Sequence, residues 1–263
     1  MNRAGAVTNV CRLAAWLGTT VRVEELIMVP EHSLIDQSQA ATESKIAVNG
    51  DGYGFAWYAE DGRLGVYRDV LPAWGDGNLS SLASMISAPL ILAHVRASTY
   101  GAVARSNCHP FVHGNWSFMH NGQVAQFGQY RRKLEAELSD ELYALRVGNT
   151  DSELLFLLLL QFGLETDVNN ACGQMLELLA RVTRGCRKPS RITAVFSNGH
   201  QLYALRTSTD NKSPTLYVKR AANNGLVLAS EPLDKCSSRW RSVEEGSLFV
   251  ADATSEFSER CAA

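Results

Sequence analysis

The chain has 263 residues, which is enough for one large domain or two small ones. Hydrophobic residues make up 46% and charged residues 20%, a balance typical of a globular protein with a sizeable core. The formal net charge of −2 weighs against nucleic acid or an anionic membrane as a partner, because both select strongly basic surfaces.

Six cysteines are scattered along the chain without a repeated short spacing. A secreted disulfide framework is usually a small, cysteine-dense chain, so this pattern favours reduced thiols. The first ten residues hold no apolar stretch long enough for a signal peptide. The longest apolar run, Leu154–Leu160 extended through Phe162, is too short to span a bilayer. The sequence therefore predicts a soluble, cytoplasmic protein.

The first half of the chain is predicted to consist mainly of short strands. An apolar segment at Val10–Leu17 is typical of a buried strand, and Asp61-Gly62 predicts a hairpin turn. Apolar residues with helical spacing predict a short helix over Asn78–Ile86. The other strands predicted in this half are Phe55–Tyr58, Leu64–Tyr67, Leu90–Val95 and Trp116–Met119.

Helices are predicted through the middle of the chain, first with one apolar face from Val124 to Leu138. Thr150 and Glu153 have the spacing of a capping box, which predicts the start of a buried helix over Ser152–Phe162. Another helix is predicted over Ala171–Thr183. The final strands, with a hairpin turn at Asn198-Gly199 between the first two, are Ile192–Phe196, Leu202–Arg206, Leu216–Lys219, Leu226–Ala229 and Leu248–Ala251. Strands at both ends with helices between them predict one mixed α/β domain, with two sheets sandwiched by helices.

Five short motifs place reactive or hydrogen-bonding side chains at the ends of these elements. They centre on Cys11, Arg96, His109, Asn121-Gly122 and Asp151. Each has a plain alternative when taken alone: Cys11 as a small buried residue, Asn121-Gly122 as a hairpin turn, and Asp151 as a first-turn residue favoured by the helix dipole. The five motifs are specific only when they are taken together, in their order along the chain.

Together these motifs resemble the class II glutamine amidotransferase domain, from Cys11 to about Ala251. The resemblance implies an N-terminal-nucleophile hydrolase fold, a four-layer αββα sandwich. Within the family, the chain is most similar to stand-alone members such as the γ-glutamyl-cleaving subunit of the fungal glutathione-degradation complex and the ergothioneine-pathway amidohydrolase. The stretches that carry this narrower likeness are Glu31–Ile35, Asn49–Gly54, Asn107–Phe111 and Ser230–Leu233.

The resemblance also implies roles for individual residues. Cys11 would attack the γ-glutamyl amide, its own α-amino group serving as the base, and form a thioester. The Asn121 side-chain amide and the Gly122 backbone N–H would stabilise the oxyanion. Arg96 and Asp151 would hold the carboxylate and the ammonium of the glutamyl end. Thr99 and His109 correspond to positions that line or brace the same pocket.

Metal and phosphate sites are not predicted, and no cofactor is expected. The spacings of His94, His109, His113 and His120 match no standard zinc pattern. The glycine-rich stretch Asn49–Gly54 lacks the Gly-Lys-Ser/Thr of a phosphate loop.

Residues 1–10 conflict with this mechanism, because a peptide bond to Val10 would leave Cys11 without a free amine. We expect this leader to be absent from the working protein, with residues 11–263 forming a single domain. Proteolytic removal, a misassigned start and a catalytically dead relative are the three alternatives. A misassigned start is favoured, because a GTG codon at Val10 would be read as an initiator Met, whose removal would expose Cys11.

The predicted function is hydrolysis of a γ-glutamyl amide to glutamate and ammonia or an amine. A free-standing amidohydrolase and a glutaminase subunit that depends on a partner protein both fit. The alternative from another class is a non-catalytic subunit that binds a glutamyl ligand or a partner protein.

Overall fold

Two antiparallel sheets face each other in the computed structural model, which describes residues 11–39, 49–97, 101–221, 225–252 and 257–261. Within those ranges the first sheet has seven strands. In spatial order they are β11 (Arg241–Ser242), β9 (Tyr217–Arg220), β10 (Leu226–Ala229), β1 (Arg12–Arg22), β4 (Ser87–Val95), β2 (Tyr53–Tyr58) and β3 (Leu64–Asp69).

The second sheet has six strands in the described ranges. In spatial order they are β13 (Phe257–Cys261), β12 (Ser247–Asp252), β8 (Gln201–Ser208), β7 (Arg191–Ser197), β6 (Trp116–Gln123) and β5 (Phe111–His113). Apolar side chains from the facing surfaces of the two sheets, such as Leu13, Met119 and Val195, form a continuous layer between them.

Helices cover both outer faces. On the first sheet lie α1 (Val23–Ile27), α2 (Leu34–Gln39) and α3 (Leu79–Met85). On the second lie α4 (Phe127–Glu135), α5 (Asp140–Ala144), α6 (Asp151–Gln161) and α7 (Val168–Val182). The αββα sandwich expected from the resemblance is therefore confirmed.

Side chains of a strand alternate between its two faces, and β1 shows the consequence for the site. Leu13 and Ala15 enter the layer between the sheets, whereas Ala14 and Trp16 pack under the outer helices. The same alternation separates Cys11, on the inner side, from Arg12, on the outer side.

Two local predictions need correction. The alternative of a hairpin turn at Asn121-Gly122 is wrong, because both residues lie inside β6, opposite Thr193 and Ile192 of β7. The capping box is half right. Thr150 accepts a hydrogen bond from the Glu153 N–H, but the Glu153 carboxylate accepts from the N–H groups of Val147 and Gly148 instead.

The predicted strands and long helices are confirmed, with ends that differ from the predicted ones by at most five residues. The short helices α1, α2 and α5 were missed, because five or six residues carry too little periodicity to signal a helix. No helix in the described ranges is long and apolar enough to cross a membrane. The expected leader, residues 1–10, lies outside the described residues.

Candidate active site

The layer between the sheets becomes polar at one end. His94, from β4, meets Asn121, from β6 of the opposite sheet, with His94 Nε2 3.1 Å from Asn121 Oδ1. Cys11 directly precedes β1, which is the neighbour of β4. The two sheets therefore bring polar side chains from distant parts of the sequence to the same place.

The Cys11 thiol is half-buried and held by the chain just after β4. Its sulfur accepts a hydrogen bond from the Ala97 N–H at 3.3 Å and lies 3.4 Å from the Ala97 carbonyl oxygen. Burial raises the pKa of the Cys11 thiol, while the Ala97 N–H and the charges of Arg96 and Arg12 oppose that rise. The thiol therefore keeps its proton at neutral pH, and a nucleophilic role requires a base.

Arg96 is buried beside Cys11, close enough for its charge to lower the pKa of the thiol. Its backbone is fixed by two hydrogen bonds, from its own N–H to the Gly52 carbonyl and from the Asp51 N–H to its carbonyl. The guanidinium Nη1 lies 3.4 Å from the carbonyl oxygens of Asp51 and Ala102. Backbone contacts on several sides thus hold a cation next to the thiol.

Asn121 is fully buried, and its amide orientation is set at both ends. Burial lowers the pKa of His94 to about 3, so its ring is neutral, and the tautomer with its proton on Nε2 donates to Asn121 Oδ1. Asn121 Nδ2 in turn donates to Ser230 Oγ at 2.9 Å. Gly122 follows with a φ of +133°, and a Cβ there would stand 1.9 Å from the Arg191 carbonyl oxygen, so only glycine fits.

Asp151 is the first residue of α6, and both of its carboxylate oxygens accept backbone hydrogen bonds. The donors are the N–H groups of Val124 at 2.8 Å and Ser152 at 2.9 Å. Val124 lies two residues after Gly122, which ties Asp151 to the end of β6. The carboxylate also borders a cavity of about 370 Å³ that is lined in part by Gln123 and Lys188.

His109 is buried and packs against two other rings. Its ring centroid lies 4.1 Å from that of His94 and 4.7 Å from that of Phe111. Burial lowers the pKa of His109 well below its ordinary value, so the ring is neutral at neutral pH. Among the described residues, no cluster of histidine, cysteine and acidic side chains has an arrangement that could hold a metal ion. Thr99 lies outside the described residues.

Three further residues surround the nucleophile, and the sequence-based list of site residues omitted them. Ser230 Oγ accepts from the N–H of Leu13 at 3.0 Å as well as from Asn121. Arg12 Nη2 pairs with Glu231 Oε1 at 2.6 Å. In the sequence, Ser230–Leu233 indicates only the family likeness. The signal for the ion pair is Arg12, a charged residue inside an apolar strand.

Comparison with known proteins decides the family. Residues 32–221 match the family model of the class-II glutamine amidotransferases. This chain belongs to that family. The predicted resemblance is therefore confirmed over most of the length on which it was based.

Two relatives of this amidotransferase show the range of the similarity. It is 32% identical over 242 residues to the γ-glutamyl-hercynylcysteine sulfoxide hydrolase of Mycobacterium tuberculosis, covering 90% of this chain and 91% of that protein. It is 39% identical over 159 residues to the probable glutamine amidotransferase DUG3 of Saccharomyces cerevisiae, covering 57% of this chain but only 44% of the yeast protein. The family and its γ-glutamyl hydrolase members identify this chain as an enzyme.

Solved structures agree with that assignment. A glutamine aminotransferase class-II domain protein from Silicibacter pomeroyi superposes with a TM-score of 0.76 at 34% identity, covering 96% of this chain and all of that one. The glutamine phosphoribosylpyrophosphate amidotransferase of B. subtilis superposes with a TM-score of 0.62 at 16% identity, covering 96% of this chain and 49% of that one. The second likeness extends to the fold alone.

Proposed function

We propose that this amidotransferase hydrolyses a γ-glutamyl amide through a thioester on Cys11, releasing glutamate and ammonia or an amine. The observation that carries the proposal is the meeting of a thiol, a cation and an oriented amide at one end of the layer between the sheets. Ser230 links two of these groups, because its hydroxyl accepts from both the strand that follows Cys11 and the Asn121 amide.

The first step needs a base, since burial raises the pKa of the Cys11 thiol. A free α-amino group at Cys11 supplies one, because its ordinary pKa is near ~8 and it is partly neutral at neutral pH. The amine takes the thiol proton, directly or through a water, and returns a proton to the departing nitrogen. Water then hydrolyses the thioester. The mechanism requires Cys11 to be the first residue of the working protein.

The oxyanion of the tetrahedral intermediate would accept hydrogen bonds from Asn121 Nδ2 and the Gly122 N–H. The amide nitrogen of Asn121 carries two hydrogens, of which one goes to Ser230 and the other remains for the substrate. The buried His94 bond prevents the amide from turning its oxygen toward the developing negative charge. Preorganised donors of this kind each contribute about 3 kcal/mol to the transition state.

The free amino-acid end of the substrate would lie between Arg96 and Asp151. A guanidinium forms paired hydrogen bonds to a carboxylate, and a carboxylate oxygen that already accepts one N–H can accept another from an ammonium. Thr99 would line this pocket and His109 would brace it. Residues 11–263 would act as a single domain. The named activity of the mycobacterial relative makes γ-glutamyl compounds that carry a cysteine sulfoxide candidate substrates beside glutamine.

The test is glutamate release from a panel of γ-glutamyl compounds by a protein that begins at Cys11. The full-length chain and Cys11→Ala serve as controls. Release that requires both Cys11 and its free amine supports the proposal, whereas full activity of Cys11→Ala contradicts the mechanism. Absence of release from every donor would favour a subunit that depends on a partner protein.

A further inference from the structure

A buried ion pair lies directly behind the nucleophile. Arg12 and Glu231 are 2% and 1% exposed, and Arg12 Nη2 lies 2.6 Å from Glu231 Oε1. Arg12 Nη1 donates to the carbonyl oxygen of Cys11 at 3.2 Å. The guanidinium therefore joins the Glu231 carboxylate to the backbone of the residue that would carry the reaction.

Ser230, the residue before Glu231, binds the start of β1 from the inner side of the sheet. Ser230 Oγ accepts from the Leu13 N–H, and the Ser230 N–H donates to the Leu13 carbonyl at 3.0 Å. The same hydroxyl accepts from Asn121 Nδ2. Ser230 and Glu231 thus hold the start of β1 from both faces of its sheet, and Ser230 connects it to the Asn121 amide of the opposite sheet.

His32 contacts Glu231 from the solvent side of the ion pair. Its Nε2 lies 3.1 Å from Glu231 Oε2, and its backbone N–H donates to the Leu233 carbonyl at 3.0 Å. Both oxygens of the Glu231 carboxylate are therefore engaged. The segment after β10 is clamped to the segment before α2, which leaves Glu231 little freedom to move away from Arg12.

Stability alone does not account for a charged pair in this position. Removing two charges from water costs free energy that their mutual attraction often fails to recover, and an apolar pair of similar size is frequently as stable. An apolar pair could not hydrogen-bond to the Cys11 carbonyl. We propose that Arg12, Ser230 and Glu231 are positioning residues that fix the Cys11 nucleophile relative to the Asn121 amide.

This inference rests on the proposed hydrolysis, so it is tested in the protein that begins at Cys11. Two variants are compared with the parent: Ser230→Ala and the double variant Arg12→Met/Glu231→Met. The double variant leaves no uncompensated buried charge and is therefore expected to fold. In both variants kcat should fall roughly tenfold to a hundredfold, because small displacements of reacting groups carry costs of that size. KM should stay within about twofold, since the binding residues are untouched.

Asp76→Asn is the matched control, because Asp76 is another buried, hydrogen-bonded carboxylate on the outer face of the same sheet. It should lower the melting temperature and leave kcat unchanged. Parental kcat in the double variant would overturn the proposal. So would an equal loss of kcat in Asp76→Asn, because the effect would then follow general destabilisation.

Alkylation of Cys11 by iodoacetamide, followed by mass spectrometry of its peptide, gives a readout that needs no turnover. The Ala97 N–H and the charge of Arg12 both lower the pKa of the thiol, so loosening this arrangement should move the pH midpoint of alkylation upward in Ser230→Ala, which keeps Arg12. A shift in the variant, together with a parent that alkylates but releases no glutamate, would contradict the proposed hydrolysis and leave the positioning intact. An unchanged midpoint would contradict the positioning itself.

Discussion

Asp76 and Glu231 are buried carboxylates on the outer face of the seven-stranded sheet, and they differ in the charge of their hydrogen-bond donors. Asp76 Oδ2 accepts from the hydroxyls of Tyr53 at 2.6 Å and Tyr67 at 3.2 Å, and Asp76 Oδ1 accepts from the Asn78 N–H. All of these donors are neutral. Glu231 meets the guanidinium of Arg12 instead.

The two carboxylates also differ in the further contacts that their hydrogen-bond donors make. The two tyrosines pack against each other, with ring centroids 5.9 Å apart, so the Asp76 contacts end within the core. Arg12, in contrast, also donates a hydrogen bond to the Cys11 carbonyl oxygen. A buried carboxylate with neutral donors therefore serves the stability of the fold, and one with a charged donor beside the nucleophile serves the geometry of the site. Variants of Asp76 should therefore change stability alone, whereas variants of Glu231 should change both stability and catalysis.

The largest effect on stability is expected from Glu231→Gln. Removing one charge of a buried pair leaves the other uncompensated, which typically costs about 3–5 kcal/mol. Urea unfolding should show this loss in the free energy of unfolding. A loss below that of Asp76→Asn would mean that Arg12 finds another counter-charge and that the contrast between the two carboxylates is wrong.

Asn121→Ala should lower kcat by about 100- to 1,000-fold, the cost of losing one oxyanion donor. Steady-state kinetics on the best γ-glutamyl donor would measure it, below the melting temperature of the variant. Its effect on catalysis should far exceed that of Asp76→Asn. A variant that raised KM alone would show that Asn121 binds the ground state and not the oxyanion.

Asp76→Asn should reduce the free energy of unfolding by about 1–3 kcal/mol, since hydrogen bonds to a charged acceptor weaken when the charge is removed. Glutamate release at temperatures well below unfolding should match the parent. Loss of activity without loss of stability would break the comparison, because it would give Asp76 a role in the site.

The smallest expected effect is on the pH dependence of stability. The hydroxyl of Tyr53, followed by the Asn78 N–H, lowers the pKa of Asp76 below its ordinary value. A carboxylate with a depressed folded pKa contributes stability that is present above its unfolded pKa of about 3.9 and is lost as pH falls through the folded pKa. The parent should therefore lose stability more steeply than Asp76→Asn on acidification below about pH 4. Equal slopes in urea unfolding at several acidic pH values would contradict the assignment.

Local patterns were sufficient for much of the fold. Short apolar runs predicted strands such as Leu226–Ala229 with the ends that the structure shows. Thr150 predicted the start of α6 because capping depends on neighbours three residues away. The predicted site residues, including Cys11 and Asn121, all come from a resemblance that only the order of the motifs along the chain made specific.

Contacts across the fold were not predictable from one sequence. Ser230 meets Asn121 across 109 residues, and Glu231 meets Arg12 only after β10 has paired with β1. Locally, Asn121-Gly122 is a favourable hairpin turn, but pairing of β6 with β7 overrides that preference. Such contacts depend on the register of strands, which no short pattern specifies.

The most direct test of the central claim is an acid quench of the protein that begins at Cys11 shortly after mixing with its best γ-glutamyl donor. Mass spectrometry then locates any adduct. The mechanism predicts that the Cys11 peptide gains the mass of one glutamyl group, and that the adduct decays as glutamate appears. Glutamate release with the adduct on another cysteine, or in a Cys11→Ala protein, would contradict it.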